Sequence, residues 1–370
     1  MEFTVSKADL VRELGLSQGV VEKKATLPVL SNVLLEAADD TLSISATDLE
    51  LSIRCQAPAQ VTGQGGGTLP AKKLLDYVRL LPDAEIRIKF SDTNWATLTC
   101  GRSKTRIAGM AKDTYPEMPP MPEPIAELPA GLVSAMIART VFAIAAEESR
   151  FTLNGALLVL RPENLTMVST DGHRLALVEY ANPSPVEKEH RALIPRKAMM
   201  ELARLAADAG EEAQIEFAMD DNHLFFRIGS RLLASRKLTG NFPDYERVLP
   251  RSHAHTVTLP REDFRSAIER VSQFSDERSR AVKIRFGDGE AVIHSSLSES
   301  GESEESLPVD YSGPTTEIGF NATYLLEFLR ATQEQAVQFH FKDAQSAGEL
   351  TPSDGESGYR YRYVVMPMRI

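Results

Sequence analysis

Cysteine is nearly missing from this 370-residue chain, where Cys55 and Cys100 are the only two. Two thiols without CxxC spacing make neither a disulfide framework nor a zinc or redox motif, so reduced thiols are expected. Long apolar runs are missing too: none approaches the roughly 18 residues that a membrane span needs. Met1-Glu2-Phe3-Thr4-Val5-Ser6 lacks the basic and apolar regions of a secretory signal, which leads us to expect a soluble cytoplasmic protein. Positive charge is in deficit. Lys and Arg number 41 against 52 Asp and Glu, a formal net charge of −11, which argues against a broad basic surface that grips nucleic acid. The chain does have apolar material, 42% of its residues, enough for two or three domains of roughly 100 to 150 residues.

A threefold internal repeat organises that material. Each copy runs from an extended lead-in through an amphipathic helix, a strand pair and a second amphipathic helix to further strands. The first helices place Leu10 and Leu14, Val133 and Ile137, and Phe264 and Ile268 at i, i+4 spacing, which builds one buried face. The strand pairs are Val33-Leu34-Leu35 with Leu42-Ser43-Ile44, Ala156-Leu157-Leu158-Val159 with Leu165-Thr166-Met167-Val168, and Val282 through Phe286 with Ala291-Val292-Ile293. Polar or glycine-containing turns divide each pair, as hairpins require. Second helices open at Ala71, Pro195 and Asn321, and alternating strands follow at Glu85–Phe90, Gln214–Phe217 and Val337–Phe341. The corresponding Leu75, Met199 and Leu325 lie 124 and 126 residues apart, so the repeating unit is a domain and not a solenoid module. Proline-rich linkers at 115–124 and 242–250 cannot continue a helix or central strand. Domains at 1–122, 123–251 and 252–370 are expected.

Few residue clusters suggest chemistry. Asp171 and His173 could form an acid/base pair, the basis of an alternative reading as a hydrolase, but no matching Ser or Cys elbow or zincin spacing accompanies them. A tight turn at Gly172, with His173 and Arg174 lining a surface cleft, is the simpler expectation. His253 and His255 lack further ligand residues nearby, so no metal is expected there. Gly63-Gln64-Gly65-Gly66-Gly67 has no phosphate-loop lysine and reads as a flexible hairpin connection. The acidic run from Ser298 to Glu305 reads as a solvated loop. Lys72-Lys73 and Arg196-Lys197 open matching helices, and either a solvated face or a phosphate-facing role fits them.

Several segments, in this order and spacing, resemble the β subunit of bacterial DNA polymerase III, the sliding-clamp family. They are Thr26-Leu27-Pro28-Val29-Leu30-Ser31-Asn32, Leu153-Asn154-Gly155, Thr170-Asp171-Gly172-His173-Arg174-Leu175-Ala176, Phe242-Pro243-Asp244-Tyr245 with Arg247-Val248-Leu249-Pro250, Ile318-Gly319-Phe320-Asn321, and Tyr363-Val364-Val365-Met366-Pro367-Met368-Arg369. The resemblance covers essentially the whole chain. It implies an α+β fold of three clamp domains, each two helices on curved antiparallel sheets, with two subunits joined head to tail into a six-domain ring around duplex DNA. Enclosure would reconcile DNA binding with the acidic balance, because topology replaces tight phosphate contacts. The implied function is non-catalytic: a processivity factor, without cofactor, that tethers the replicative polymerase, the ATP-dependent clamp loader and repair polymerases through short Leu/Phe-containing motifs.

The resemblance also implies sites. A peptide-binding cleft would comprise Leu153, Thr170, Gly172, His173, Arg174, Leu175, Pro243, Arg247, Val248, Val364, Met366, Pro367, Met368 and Arg369, and Met-rich apolar grooves suit several partners in turn. DNA proximity is implied for Lys24, Arg150, Arg196, Lys197, Asn321 and Tyr324. The dimer joint would set Lys73, Leu74, Tyr77 and Leu81, with Arg79, against Phe274, Glu299, Glu302 and Glu304 of the other subunit. Ser279 and Ala347 depart from the family pattern: the first stands where some relatives carry an aromatic, the second where a polar cleft residue is usual.

Overall fold

The computed structural model describes residues 1–21, 27–146, 151–297, 301–353 and 358–369. Six α-helices occur among them: α1 Lys7–Ser17, α2 Ala71–Leu80, α3 Ala130–Thr140, α4 Arg196–Ala209, α5 Arg261–Val271 and α6 Ala322–Ala331. Each takes over directly from a strand. The junction residue is Pro70, Pro129, Pro195 or Pro260 in four cases, where a missing N–H ends the ladder and a fixed φ starts the helix. In the other two a side chain caps the helix. Ser6 Oγ accepts from the Asp9 N–H at 3.1 Å, and Asn321 Oδ1 accepts from Thr323 N–H at 2.9 Å and Tyr324 N–H at 3.4 Å. The expected i, i+4 pairs are all buried: Leu10 and Leu14, Val133 and Ile137, Phe264 and Ile268.

All strand pairings are antiparallel, and the three expected hairpins form, with Leu35 opposite Ile44, Leu158 opposite Met167 and Ile284 opposite Ile293. More strands stand between the two helices of a repeat than the expected pair: five in the first and four in each of the others. The glycine segment is part of the difference. Gly65–Pro70 is a strand paired along Asn32–Ala38, not a flexible connection. A Cβ at Gly67 would stand 2.5 Å from the Phe90 ring, so glycine there admits close packing where periodicity gives no signal. The acidic run likewise contributes a strand, Gly301–Pro308, at the edge of its sheet.

The chain divides into two compact units that are out of phase with the repeats: residues 1–134 with 197–237, and residues 135–196 with 238–370. In the first unit an eight-stranded sheet joins strands of the first repeat to Ala126–Pro129 and 214–236 of the second, the seam being Leu51–Pro58 against Arg231–Arg236. A five-stranded sheet, with Ser103–Ala108 at one edge, completes that unit. In the second unit another eight-stranded sheet joins Gly155–Pro195 strands to those of the third repeat, the seam being Arg174–Ala181 against Tyr359–Val365, and a four-stranded sheet ends at Gly301–Pro308. Phe286, Phe320, Phe339 and Phe341 are fully buried in this second unit, with Phe286 stacked on Phe341 at 4.9 Å.

Candidate functional site: a roofed sheet face and its turn

The strand Gly155–Leu160 reads GALLVL and every one of its residues is buried. A sheet face turned to solvent would alternate, so both faces of this strand must be covered. Leu157, Val159, Val168, Leu175, Leu177, Leu193 and Val364 form an apolar cluster on one face, and Tyr245 closes over them with Phe242, Leu249 and Ala347 partly buried alongside. The proline-containing segment 242–249 is therefore a roof. At its rim Val248 is 45% exposed, and Met366 of the C-terminal segment is 47% exposed. Exposed large apolar residues beside a covered apolar floor are what an apolar side chain from outside requires.

The Thr170–Leu175 turn borders this face. Thr170 Oγ1 accepts from the Gly172 N–H at 3.1 Å and donates to the Arg174 carbonyl at 2.6 Å. Asp171 Oδ1 accepts from the N–H groups of His173 at 2.9 Å and Arg174 at 3.1 Å, and Gly172 takes a φ of 90°, which favours glycine. The first repeat builds the same turn at Thr47–Leu51. There Asp48 Oδ1 accepts from Glu50 N–H at 2.9 Å and Leu51 N–H at 2.6 Å, while Leu49 sits at φ 77° in place of glycine. The corresponding sheet face in that repeat carries Glu36, Ser45, Ser52 and Arg54 along a polar cavity. Backbone geometry repeats, whereas the apolar floor shrinks there to Leu34 packed with Val29, Leu30 and Tyr115.

Arg174, expected at the cleft, is a buried member of this turn. It is 8% exposed, and its guanidinium holds Asp171 Oδ2 at 3.0 Å, the Phe142 carbonyl at 2.6 Å and Glu327, lying 4.2 Å from the Tyr324 ring centre. Burial opposes its charge, but Tyr363 and Glu327 outweigh it and raise its pKa. Both Asp171 oxygens are engaged in this structural work, which gives the carboxylate a role without catalysis. Thr170, Leu175 and Val364 are buried as well. Gly172, His173, Pro243, Arg247, Val248, Met366 and Arg369 are exposed, with Leu153, Pro367 and Met368 intermediate. The C-terminal segment is held by backbone bonds, Met366 N–H to the His173 carbonyl at 2.9 Å and Met368 N–H to the Gly319 carbonyl at 2.8 Å.

Of the residues implied to lie near DNA, Lys24 and Arg150 fall outside the described residues, as does Glu299 of the joint. Arg196 is exposed. Lys197 is exposed but pairs with Asp48. Asn321 is the α6 cap described above. Tyr324, half-buried against Arg174, has its pKa raised by burial and then by Asp171. At the implied joint, Leu74 and Leu81 are 0% and 6% exposed and pack in their own core. Lys73, Glu302, Glu304 and Phe274 are exposed and Tyr77 intermediate. Sequence reasoning missed Leu80, 86% exposed at the end of α2; its place off the i, i+3, i+4 stripe of Leu74, Leu75 and Val78 could have revealed it.

A repeated helix-on-sheet protein with exposed Val248 and Met366 beside a roofed apolar cluster fits the class of proteins that hold partners. Known proteins agree. The family model of the DNA polymerase III beta subunit matches throughout: its N-terminal domain over residues 1–119, its central domain over 127–244 and its C-terminal domain over 246–369. The chain is 36% identical to a beta sliding clamp of Pseudomonas putida over 376 residues, covering all of both. A clamp of Caulobacter vibrioides is likewise 36% identical over 378 residues, again with full coverage of both. The crystal structure of the DNA polymerase III subunit beta from Pseudomonas aeruginosa superposes with a TM-score of 0.94 at 34% identity, covering both chains fully. The Bacillus subtilis clamp gives 0.95 at 25% identity, covering 100% of this chain and 99% of that one. A further Pseudomonas aeruginosa clamp structure is bound to griselimycin. The chain belongs to the DNA polymerase III beta subunit family, the bacterial sliding clamps. It is a DNA sliding clamp, a non-catalytic processivity factor, and the hydrolase alternative has no support.

Proposed function

We propose that the groove under Tyr245, rimmed by Val248 and Met366, is the cleft through which this clamp receives short Leu/Phe-containing motifs of the replicative polymerase, the clamp loader and repair polymerases, in the cytoplasm. The observation that carries this is the apolar cluster under Tyr245, broader than its counterpart in the first repeat, where Glu36, Ser45, Ser52 and Arg54 take up part of the same face. Burying one large apolar side chain contributes on the order of 1.5 to 3 kcal/mol, so losing part of the groove weakens binding by about tenfold or more. Deletion of residues 366–370 abolishes peptide binding while the dimer persists. Full peptide affinity in a folded, dimeric truncation would refute the assignment.

Two copies join head to tail into a ring, and the repeats 1–122, 123–251 and 252–370 are its six domains when doubled. Two free sheet edges of opposite charge support this: Ser103–Ala108 exposes Lys104 and Arg106, and Gly301–Pro308 exposes Glu302 and Glu304. Lys73, Tyr77 and Leu80 of α2, and Phe274, whose ring lies against Gly301 of the second edge, add to the joint. Arg196 and Lys197 face the enclosed duplex. Clamps loaded on nicked circular DNA stay bound and run off after linearisation. Equal retention on both substrates would refute enclosure.

A further inference from the structure

The apolar floor continues into a charged chamber on the same sheet face. Val364 is paired with Glu349 and Leu177 with Arg362 in the strand register, and Glu349 and Arg362 line a cavity of about 620 Å³. Leu249 belongs to both places, packing against the apolar cluster and lining the cavity. Neighbouring strands lie roughly 5 Å apart and an extended peptide rises about 3.3 Å per residue. Two or three residues beyond a motif seated in the groove therefore reach the chamber.

Its charges are unevenly satisfied. Glu349, 1% exposed, is held through both oxygens by Arg362 and by His253 Nε2 at 2.8 Å, so it does not repel an incoming anion. Arg362 also donates to the Pro250 carbonyl at 2.8 Å. His340 stacks on His253 with ring centres 4.7 Å apart, and burial, then His253, lowers its pKa. Glu246 lies 3.8 Å from Arg161. Arg251 and Arg360, both exposed, form no ion pair among the described residues. Glu179, opposite Arg360 in the register, accepts instead from the Thr166 hydroxyl at 3.3 Å. The chamber mouth thus presents two guanidiniums that no carboxylate matches among the described residues, on a chain of net charge −11.

We propose that this chamber is an additional subsite of the groove, in which Arg251 and Arg360 read acidic side chains flanking the hydrophobic motif of a bound peptide. The assignment rests on the groove reading above. Guanidinium geometry suits carboxylates, and exposed pairs of this kind are worth a few-fold in affinity each.

Fluorescence-polarisation titrations test it with one Leu/Phe motif carrying an Asp-Glu pair at either end in turn, or Ser-Ser. On the wild-type protein at low salt, one of the acidic peptides binds roughly three- to tenfold more tightly than the neutral one. That advantage disappears in the Arg251→Ala, Arg360→Ala double variant and persists in an Arg102→Ala, Arg278→Ala control of equal net charge, while the neutral peptide binds all three alike. Equal binding of acidic and neutral peptides to wild type, or an advantage that survives the double substitution, overturns the subsite alone. Failure of every peptide to bind wild type overturns the groove and the subsite with it.

Discussion

Replacing Arg174 by alanine tests how the groove is held in place. The side chain is 7% exposed, and its carboxylate partners Asp171 and Glu327 are 14% and 31% exposed. Without it, two carboxylates and the Phe142 carbonyl lose their shared donor. Removing one member of a buried ion pair typically costs about 3 to 5 kcal/mol. Glu327 is open enough to regain water, which places the expected loss near the lower end, at about 3 kcal/mol. Arg174→Met keeps the packing of the stem and isolates the electrostatic share. The two units provide separate probes. Trp95, the single tryptophan, lies in the first, and seven of the nine tyrosines, among them Tyr324 and Tyr363, lie in the second. With an m value of roughly 2 kcal/mol per M, the tyrosine near-UV transition in urea moves down by about 1.5 M, whereas the Trp95 fluorescence transition stays in place. Peptide affinity falls too, since the turn whose His173 carbonyl holds Met366 is loosened. A tyrosine midpoint within about 0.3 M of wild type would show that this network does not hold the second unit together.

Other outcomes follow from single features. Burial pushes the Cys55 thiol up to about 12, and Cys100 is also buried; neither reacts with a thiol reagent at neutral pH until the chain unfolds, and rapid labelling of the folded protein would contradict this. Asp208 is held below its ordinary value of 3.8 by its hydrogen bond to Arg12, with Arg231 adding to the effect. Its contribution is therefore present above that ordinary value and is lost as pH falls through the depressed one, so Asp208→Asn flattens the acid limb of the melting-temperature profile; an unchanged limb would argue against it. The two matching turns respond in opposite senses: Leu49→Gly leaves stability unchanged or raises it by about 0.5 kcal/mol, and Gly172→Ala lowers it by about 1 kcal/mol, as urea titration measures. The same sign at both positions would contradict the equivalence of the turns.

Much of the fold was legible because periodicity reports burial on one side of an element. Leu10 with Leu14 and Phe264 with Ile268 announce helices, and Leu35 with Ile44 announces a hairpin. The Gly65–Pro70 strand was hidden because glycine carries no side chain to alternate. The burial of Leu74 and Leu81 was hidden for a different reason: an apolar residue at a helix end looks the same whether it meets its own core or a partner. In the groove, the motif containing Val248 was recognisable but the burial of Arg174 was not, since it depends on Glu327 and Phe142, far off in sequence. The chamber is further still from any linear signal. Its hint is the alternation of Tyr359-Arg360-Tyr361-Arg362, which puts two guanidiniums on one face of a strand hydrogen-bonded on both sides.

The seams within the two eight-stranded sheets also set how the molecule bears load. Successive repeats are joined by backbone ladders as well as by a peptide linker, so drawing one repeat from the next shears rows of hydrogen bonds together and cannot simply straighten a tether. The ladder between Leu51–Pro58 and Arg231–Arg236 has four paired positions, and that between Arg174–Ala181 and Tyr359–Val365 has seven. Under tension the shorter seam is the mechanical fuse, and nicking the proline segment at 115–124 leaves the first and second repeats stitched to each other.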